Sequence, residues 1–370
     1  MTMAKRKSRI KRTQEAGIKI SEIFQKTEIK ILLAFAAVVR AGSSIGYRNM
    51  MLNNTRTELM IRSMLIVYEA RREVQNAVQQ LLREQYEQTL AEISERIETA
   101  STASQSIARN QVEADMQWIR ENFGSPEQIA EETTREMLDS LNHIWRDTDD
   151  VYRQIVEAAT DSAQQTGGTV YDSVTQILSE FAQRGVRGFT DRAGRKWELQ
   201  AYADMAMRTA MQKASMLSTF DAMIQHGIDV CYVNAHMGAC PLCYKWQGVL
   251  MSLTGATPGL PTVREAMDDG LFHPNCAHIP QEYIVGVSRL DIGSPRGYTL
   301  GQSERLYKRR QKQRYIERQI RRWKRALAVA QDEDQQAEAN AQIRRWQAEA
   351  RQNTEWREVQ RRYDREQVRS

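Results

Sequence analysis

Helix breakers are scarce in this 370-residue chain, which has only 7 prolines and 19 glycines. With so few interruptions available, long helices are the expected form. Four cysteines are too few for a disulfide scaffold of this length, and they cluster, which points to a metal more than to secretion. No apolar run approaches the roughly 18 residues a membrane span needs. The best is Ile31 to Val39 (ILLAFAAVV), and Glu15, Glu22 and Glu28 before it argue against a signal peptide. Ile31, Phe35 and Val38 follow helical spacing, so the run reads as a buried helix. The length itself suffices for two or three domains with a sizeable core.

Charge is present but segregated. Residues 1–13 carry +6 and residues 303–370 carry +8, so a total of +5 leaves residues 14–302 at −9. Basic ends on an acidic body point to a polyanion or an acidic protein surface as partner. Eleven Lys or Arg lie between residues 305 and 325, among Tyr307, Tyr315 and Trp323. That mixture suits phosphate neutralisation and stacking, although no base-reading motif is present. The candidate contacts are Lys5, Arg6, Lys7, Lys308, Arg309, Arg310, Arg321 and Arg322.

The expected fold is mainly α, in four parts: a basic tail (1–13), a helical assembly domain (14–187), a small α+β module (188–298) and a basic helical C-terminal arm (299–370). In the second part, Leu59, Ile61, Met64, Leu65, Tyr68, Val74, Val78, Leu81 and Leu82 recur at threes and fours, which predicts one helix from about Thr55 to Thr99. Thr55 with Glu58, and Ser125 with Gln128, have capping-box spacing, and Pro126 suits a first helical position. Gly167 and Gly168 mark a break. GVRGFTDRAGRKW (185–197) reads as a hairpin ending on an aromatic anchor. Met205, Met207, Met211 and Met216 follow as the core stripe of a further helix. In the C-terminal arm, Ile316, Ile320, Trp323 and Leu327, then Ile343, Trp346 and Ala350, give two narrow seams separated by DEDQQ, a helical hairpin.

The third part collects what is unusual: all four cysteines, four of five histidines and six of seven prolines. Asp229–Val233, Gly248–Leu253 and Tyr283–Val287 are its β-prone runs. Cys240-Pro-Leu-Cys243 is followed after 29 residues by His273-Pro-Asn-Cys276. Two short turns that each present two donors are what a tetrahedral zinc requires. A bound zinc contributes on the order of 10 kcal/mol, enough to fold a module with a thin core. The expected ligands are therefore Cys240, Cys243, His273 and Cys276, with His236 and His278 as alternates and Cys231 in the core. The deaminase arrangement fails, because His236 is followed by Met237 and Gly238. HExxH, P-loop and GxSxG patterns are absent. A zinc-dependent nuclease with His236 or His278 as general base stands as the rival expectation.

Gly188-Phe189-Thr190-Asp191, Gly194-Arg195-Lys196-Trp197-Glu198-Leu199, Tyr202, Met205 and Arg208-Thr209 form one signature. Ala235 through Cys243, Trp246-Gln247-Gly248 and Gly270 through His278 form a second, in order after the first. Together they resemble the phage minor capsid protein 2 family, and CxxC with HPNC also resembles the related Mu F-like minor head proteins. Arg351 through Thr354 and Asp364-Arg365-Glu366 are weaker matches. In the first family Arg usually stands where this chain has Cys240, and Cys243 is matched by His or Cys. That departure raises a second ligand set, His236, Cys243, Cys276 and His278, beside the favoured CxxC set. The resemblance implies a structural head component of a tailed bacteriophage, without a catalytic site. It would be made in the bacterial cytoplasm and built into the virion in several copies near the portal vertex. Its partners would be portal or major capsid protein and packaged double-stranded DNA, with no membrane.

Overall fold

The computed structural model describes residues 3–45, 53–100, 117–162, 170–185, 187–190, 196–274, 276–290, 299–355 and 359–368. Helices dominate, as expected: α1 (Met3–Ile45), α2 (Asn53–Ala100), α3 (Pro126–Ser162), α4 (Val170–Arg184), α5 (Leu199–Gln225), the short α6 (Pro241–Tyr244) and α7 (Val263–Asp268), α8 (Leu300–Val329) and α9 (Glu333–Asn353). A hairpin of β1 (Arg187–Thr190) and β2 (Lys196–Glu198) precedes α5, in the predicted place. Gly167 and Gly168 lie outside the described residues. The chain divides into two compact units, each drawn from three stretches: 1–19, 76–135 and 204–308 in one, 20–75, 136–203 and 309–370 in the other.

In the first unit, the buried side of α5 carries Met207, Met211, Met216, Phe220 and Met223, so the Met stripe is core. Gly17 of α1 sits where a Cβ would come within 2.5 Å of Asp204 and 2.7 Å of Arg208 on α5, so any larger residue would force those side chains to move. Charged residues of α1 are bonded inside the unit. Arg9 is fully buried and donates to Thr219 Oγ1 at 3.2 Å, and Arg12 pairs with Glu92 at 2.9 Å. Burial, assisted by the neighbouring Arg96, lowers the Arg9 pKa to about 10. Residues 3–13 are thus helical backbone, and the side chains of Lys5, Arg6 and Lys7 lie outside the description.

A three-stranded antiparallel sheet completes this unit, in the order β4 (Leu250–Ser252), β3 (Val230–Val233), β5 (Pro280–Glu282). The first two strands fall on their predicted runs. The third does not: residues 283–287 leave the strand for a turn, and the pairing strand is Pro280–Glu282. β propensity favours Val285 and Val287, but Pro280 is tolerated in the sheet because it begins an edge strand. Cys231 is fully buried on β3, as a core residue should be. Arg96 of α2 pairs with Glu282 of β5 at 2.7 Å. Asp229, just before β3, accepts from Ser252 Oγ at 2.6 Å and from Thr254 N at 2.8 Å, stitching β4 to the start of β3.

In the second unit, Ile31, Leu32, Phe35 and Ala36 of α1 are buried, and Phe35 meets Phe181 of α4 edge-on at 5.6 Å. Thr55 does not start α2, which already begins at Asn53. Ser125 and Gln128, which belong to the first unit, do cap α3 reciprocally, at 2.7 and 3.2 Å, with Pro126 at its first position. The C-terminal hairpin forms as its seams predict. Ile316 and Ile320 of α8 pack with Ala350 and Trp346 of α9, Tyr315 meets Trp346 edge-on at 5.7 Å, and Asp332 of DEDQQ caps α9 through Gln335 N at 2.8 Å.

Candidate metal centre

The CxxC sits on a turn that sequence chemistry explains. Cys240 has extended backbone at the N-cap of α6, Pro241 occupies the first helical turn, and Tyr244 N donates to Cys240 O at 3.0 Å. Cys243 follows one turn on and is buried. The HPNC arrives from α7, whose start Thr262 and Glu265 fix by a capping box. Gly270, at φ 98°, turns the chain after α7, and a Cβ there would lie 3.4 Å from Leu242 of α6. Phe272, immediately before His273, is the one described non-glycine residue in the left-handed region, at φ 62°. Cys276 N donates to His273 O at 2.9 Å, closing the second turn.

These turns bring together Cys240, Cys243 and His273, and also Cys243, Cys276 and His278, as two donor groups that share Cys243. Cys240 Sγ lies 3.0 Å from His273 Nε2, Cys243 Sγ 3.6 Å from Cys276 Sγ, and Cys276 Sγ 3.3 Å from His278 Nδ1. Zn–S bonds of about 2.3 Å and Zn–N bonds of about 2.0 Å give tetrahedral edges of about 3.8 Å between sulfurs and about 3.5 Å between sulfur and nitrogen. The donors present fit that size. All four cysteines are free thiols, and 3.6 Å is well beyond the roughly 2.05 Å of a disulfide. Among the described residues His236 joins neither donor group; its ring stacks on that of His278, centroids 4.4 Å apart.

The local field is arranged for a thiolate. A hydrogen bond from Cys243, together with His278, holds the Cys276 thiol well below its usual pKa, while the same bond and burial push Cys243 up. Burial, assisted by the charges of Asp229 and Glu282, pushes Cys231 up. Gln247, which in the sequence stands only within a signature, touches this cluster. Its Nε2 lies 3.1 Å from His236 O and 2.8 Å from His278 Nε2. A glutamine carries no spacing signal of its own, so only the structure reveals it.

The basic candidates fare unequally. Lys308 is exposed, and Arg309 and Arg310 are half-buried. Arg321 is buried and donates to Arg365 O at 2.6 Å, and Arg322 donates to Gln183 Oε1 at 2.9 Å. The structure thus directs Arg321 and Arg322 to internal acceptors.

The chain matches the family described as Phage minor capsid protein 2 across residues 19–355. It is also similar to a protein named "Structural protein" of Lactococcus phage LL-H, 24% identical over 229 residues that cover 58% of this chain. The chain spans 61% of that relative's length. No solved structure matches.

Proposed function

A chain matched over residues 19–355 belongs to the phage minor capsid protein 2 family, and on that premise we propose that it is a low-copy component of a tailed-phage head, docked near the portal vertex. It is then a phage structural protein, as the family and the relative from Lactococcus phage LL-H are. One structural observation carries the docking part. Ile61, Met64, Leu65 and Tyr68 of α2 step by three, one and three, and they are 48%, 52%, 55% and 67% exposed. Four large apolar side chains on one helical face, open to solvent, mark an interaction surface. A portal or major capsid subunit is the partner proposed for it.

The basic start of α8, with exposed Tyr307 and Lys308 beside Arg309 and Arg310, supports a second, salt-sensitive contact with packaged DNA. Among the described residues no helix is long and apolar enough to cross a membrane. The rival nuclease reading asks His236 or His278 to activate water. His278 is 1% exposed with both ring nitrogens engaged, which favours a structural use.

The test is quantitative mass spectrometry of purified particles that carry either the natural chain or Leu65→Asp/Tyr68→Asp. A fixed low ratio to portal protein, lost in the variant while the isolated variant remains folded, is expected. Absence of the natural chain from particles would overturn the assignment. Normal incorporation of the variant would remove this face of α2 as the docking surface.

A further inference from the structure

Five metal-binding side chains surround a space that suits a four-coordinate ion, so one of them must have another task. The hydrogen bonds of the two histidines decide which. His273 Nδ1 lies 2.8 Å from the carbonyl oxygen of Pro274. A carbonyl only accepts, so Nδ1 carries the proton and Nε2 presents its lone pair, toward Cys240 Sγ at 3.0 Å. A neutral imidazole with one nitrogen anchored on a backbone carbonyl is the form in which histidine ligates metal.

His278 has the same tautomer but turns the other nitrogen, the protonated one, toward sulfur. Gln247 Nε2 faces the carbonyl oxygen of His236 at 3.1 Å, which fixes that amide end as the NH2 donor. Its second N–H is directed at His278 Nε2, 2.8 Å away, so Nε2 must accept. The proton of a neutral His278 is then on Nδ1, the atom 3.3 Å from Cys276 Sγ. A nitrogen that holds a proton has no lone pair to give a metal, but it donates well to a thiolate. Gln247 is itself held in place: Gly248 N donates to Val233 O at 3.0 Å, and Gln247 bridges Val233 of β3. The main chain of His278 is fixed from the other side, where its carbonyl accepts from Gln212 of α5 at 3.0 Å.

We propose that Cys240, Cys243, His273 and Cys276 hold one zinc ion, and that His278 is a positioning residue, locked by Gln247 into the tautomer that donates Nδ1–H to the Cys276 sulfur. The backbone before His273 supports this choice. Phe272 at φ 62° is a costly conformation for a bulky residue, and such conformations persist where surrounding bonds over-determine them. A metal bond to the next side chain supplies that constraint. The ion is structural: all four positions are taken by protein, and it joins the α6 turn to the turn after α7. This inference is independent of where the protein sits in a virion.

The test uses the full chain, purified without added metal, with zinc counted by elemental mass spectrometry and affinity measured by chelator competition. One zinc per chain is expected. His278→Ala and Gln247→Leu should keep that stoichiometry and bind about 10–100-fold more weakly, the usual effect of losing an outer hydrogen-bond partner. His273→Ala and Cys240→Ser should lose the ion. If those two variants do not fold, cobalt substitution of His278→Ala decides: unchanged ligand-field bands, which respond to the loss of any ligand, support the assignment, and bands altered as by a lost or replaced nitrogen ligand overturn it. Absence of zinc from the natural chain, or its loss from a folded His278→Ala while a folded His273→Ala retains it, would overturn the proposal.

Discussion

Gly238 N–H donates to the hydroxyl of Ser303 at 3.1 Å, and that hydroxyl in turn donates to Ala239 O at 3.1 Å. Ser303 is 1% exposed, in the first turn of α8, and the two residues it holds lead directly into Cys240. The start of α8, itself capped by Thr299 and Gln302 at 2.8 and 3.3 Å, therefore fastens the CxxC loop. Ser303→Ala leaves the Gly238 N–H without this acceptor. A loss of about 1–3 kcal/mol in unfolding free energy is expected, read from urea titration of the natural and altered chains. An unchanged midpoint would mean that the loop is held by other bonds.

Arg325 of α8 is 3% exposed; its Nε donates to Ala182 O at 3.0 Å and its guanidinium lies 3.6 Å from Glu28 of α1. Charges this deep cost more when one partner is removed than the pair contributes when intact. Arg325→Met should destabilise by about 3–5 kcal/mol. Adding Glu28→Gln to it should restore part of the loss, because the carboxylate that lost its cation is then neutral. A double-mutant cycle with no coupling would assign the whole effect to the bond with Ala182.

Much of this architecture is legible in the sequence, and the exceptions have physical causes. The capping box at Ser125, the hairpin before α5 and the α8–α9 hairpin each depend on local chemistry, which a sequence carries directly. The apolar residues of α2 were less readable. Leu59, Val74, Val78 and Leu82 are buried as periodicity implies, yet Ile61, Met64, Leu65 and Tyr68 are exposed. Helical spacing identifies a face but not what covers it, and α2 carries two such faces. Net charge misleads in a related way: Arg9, Arg321 and Arg325 count toward basic ends, although all three are buried. At the candidate metal centre, CxxC and HPNC spacing marks the candidate donors. The choice between His273 and His278 depends on the hydrogen-bond partner of each ring, Pro274 O for one and Gln247 for the other, and no spacing encodes that.

Asp229 gives a pH signature. Burial disfavours its charge, but the hydrogen bonds from Ser252, Thr254 and Thr257 outweigh that and hold its carboxyl below the usual range. A carboxyl whose pKa is lower folded than unfolded adds stability above the unfolded value, and that stability disappears as pH falls through the folded value. Asp229→Asn should therefore cost about 1–3 kcal/mol at neutral pH, with the difference shrinking below about pH 4. Paired thermal unfolding between pH 3 and pH 7 measures it. A gap that stays constant over that range would show that the carboxylate charge is not the stabilising element.

Lys308 and Arg321 allow the proposed DNA contact to be tested apart from internal structure along one helix. Lys308 is exposed near the start of α8, whereas Arg321, three turns and more along, is 6% exposed and bonded to Arg365 O. If the start of α8 meets phosphates, each lost contact reduces the slope of log affinity against log salt by about 0.9. Lys308→Ala should lower the slope for duplex DNA by about that amount and leave the unfolding midpoint unchanged. Arg321→Ala should do the reverse: burial already lowers the pKa of this guanidinium, and its removal strips Arg365 O of a donor. A slope unaffected by Lys308→Ala would withdraw the DNA contact and leave the basic start of α8 to an acidic protein surface, since phosphate neutralisation is the one interaction that must register in the salt dependence.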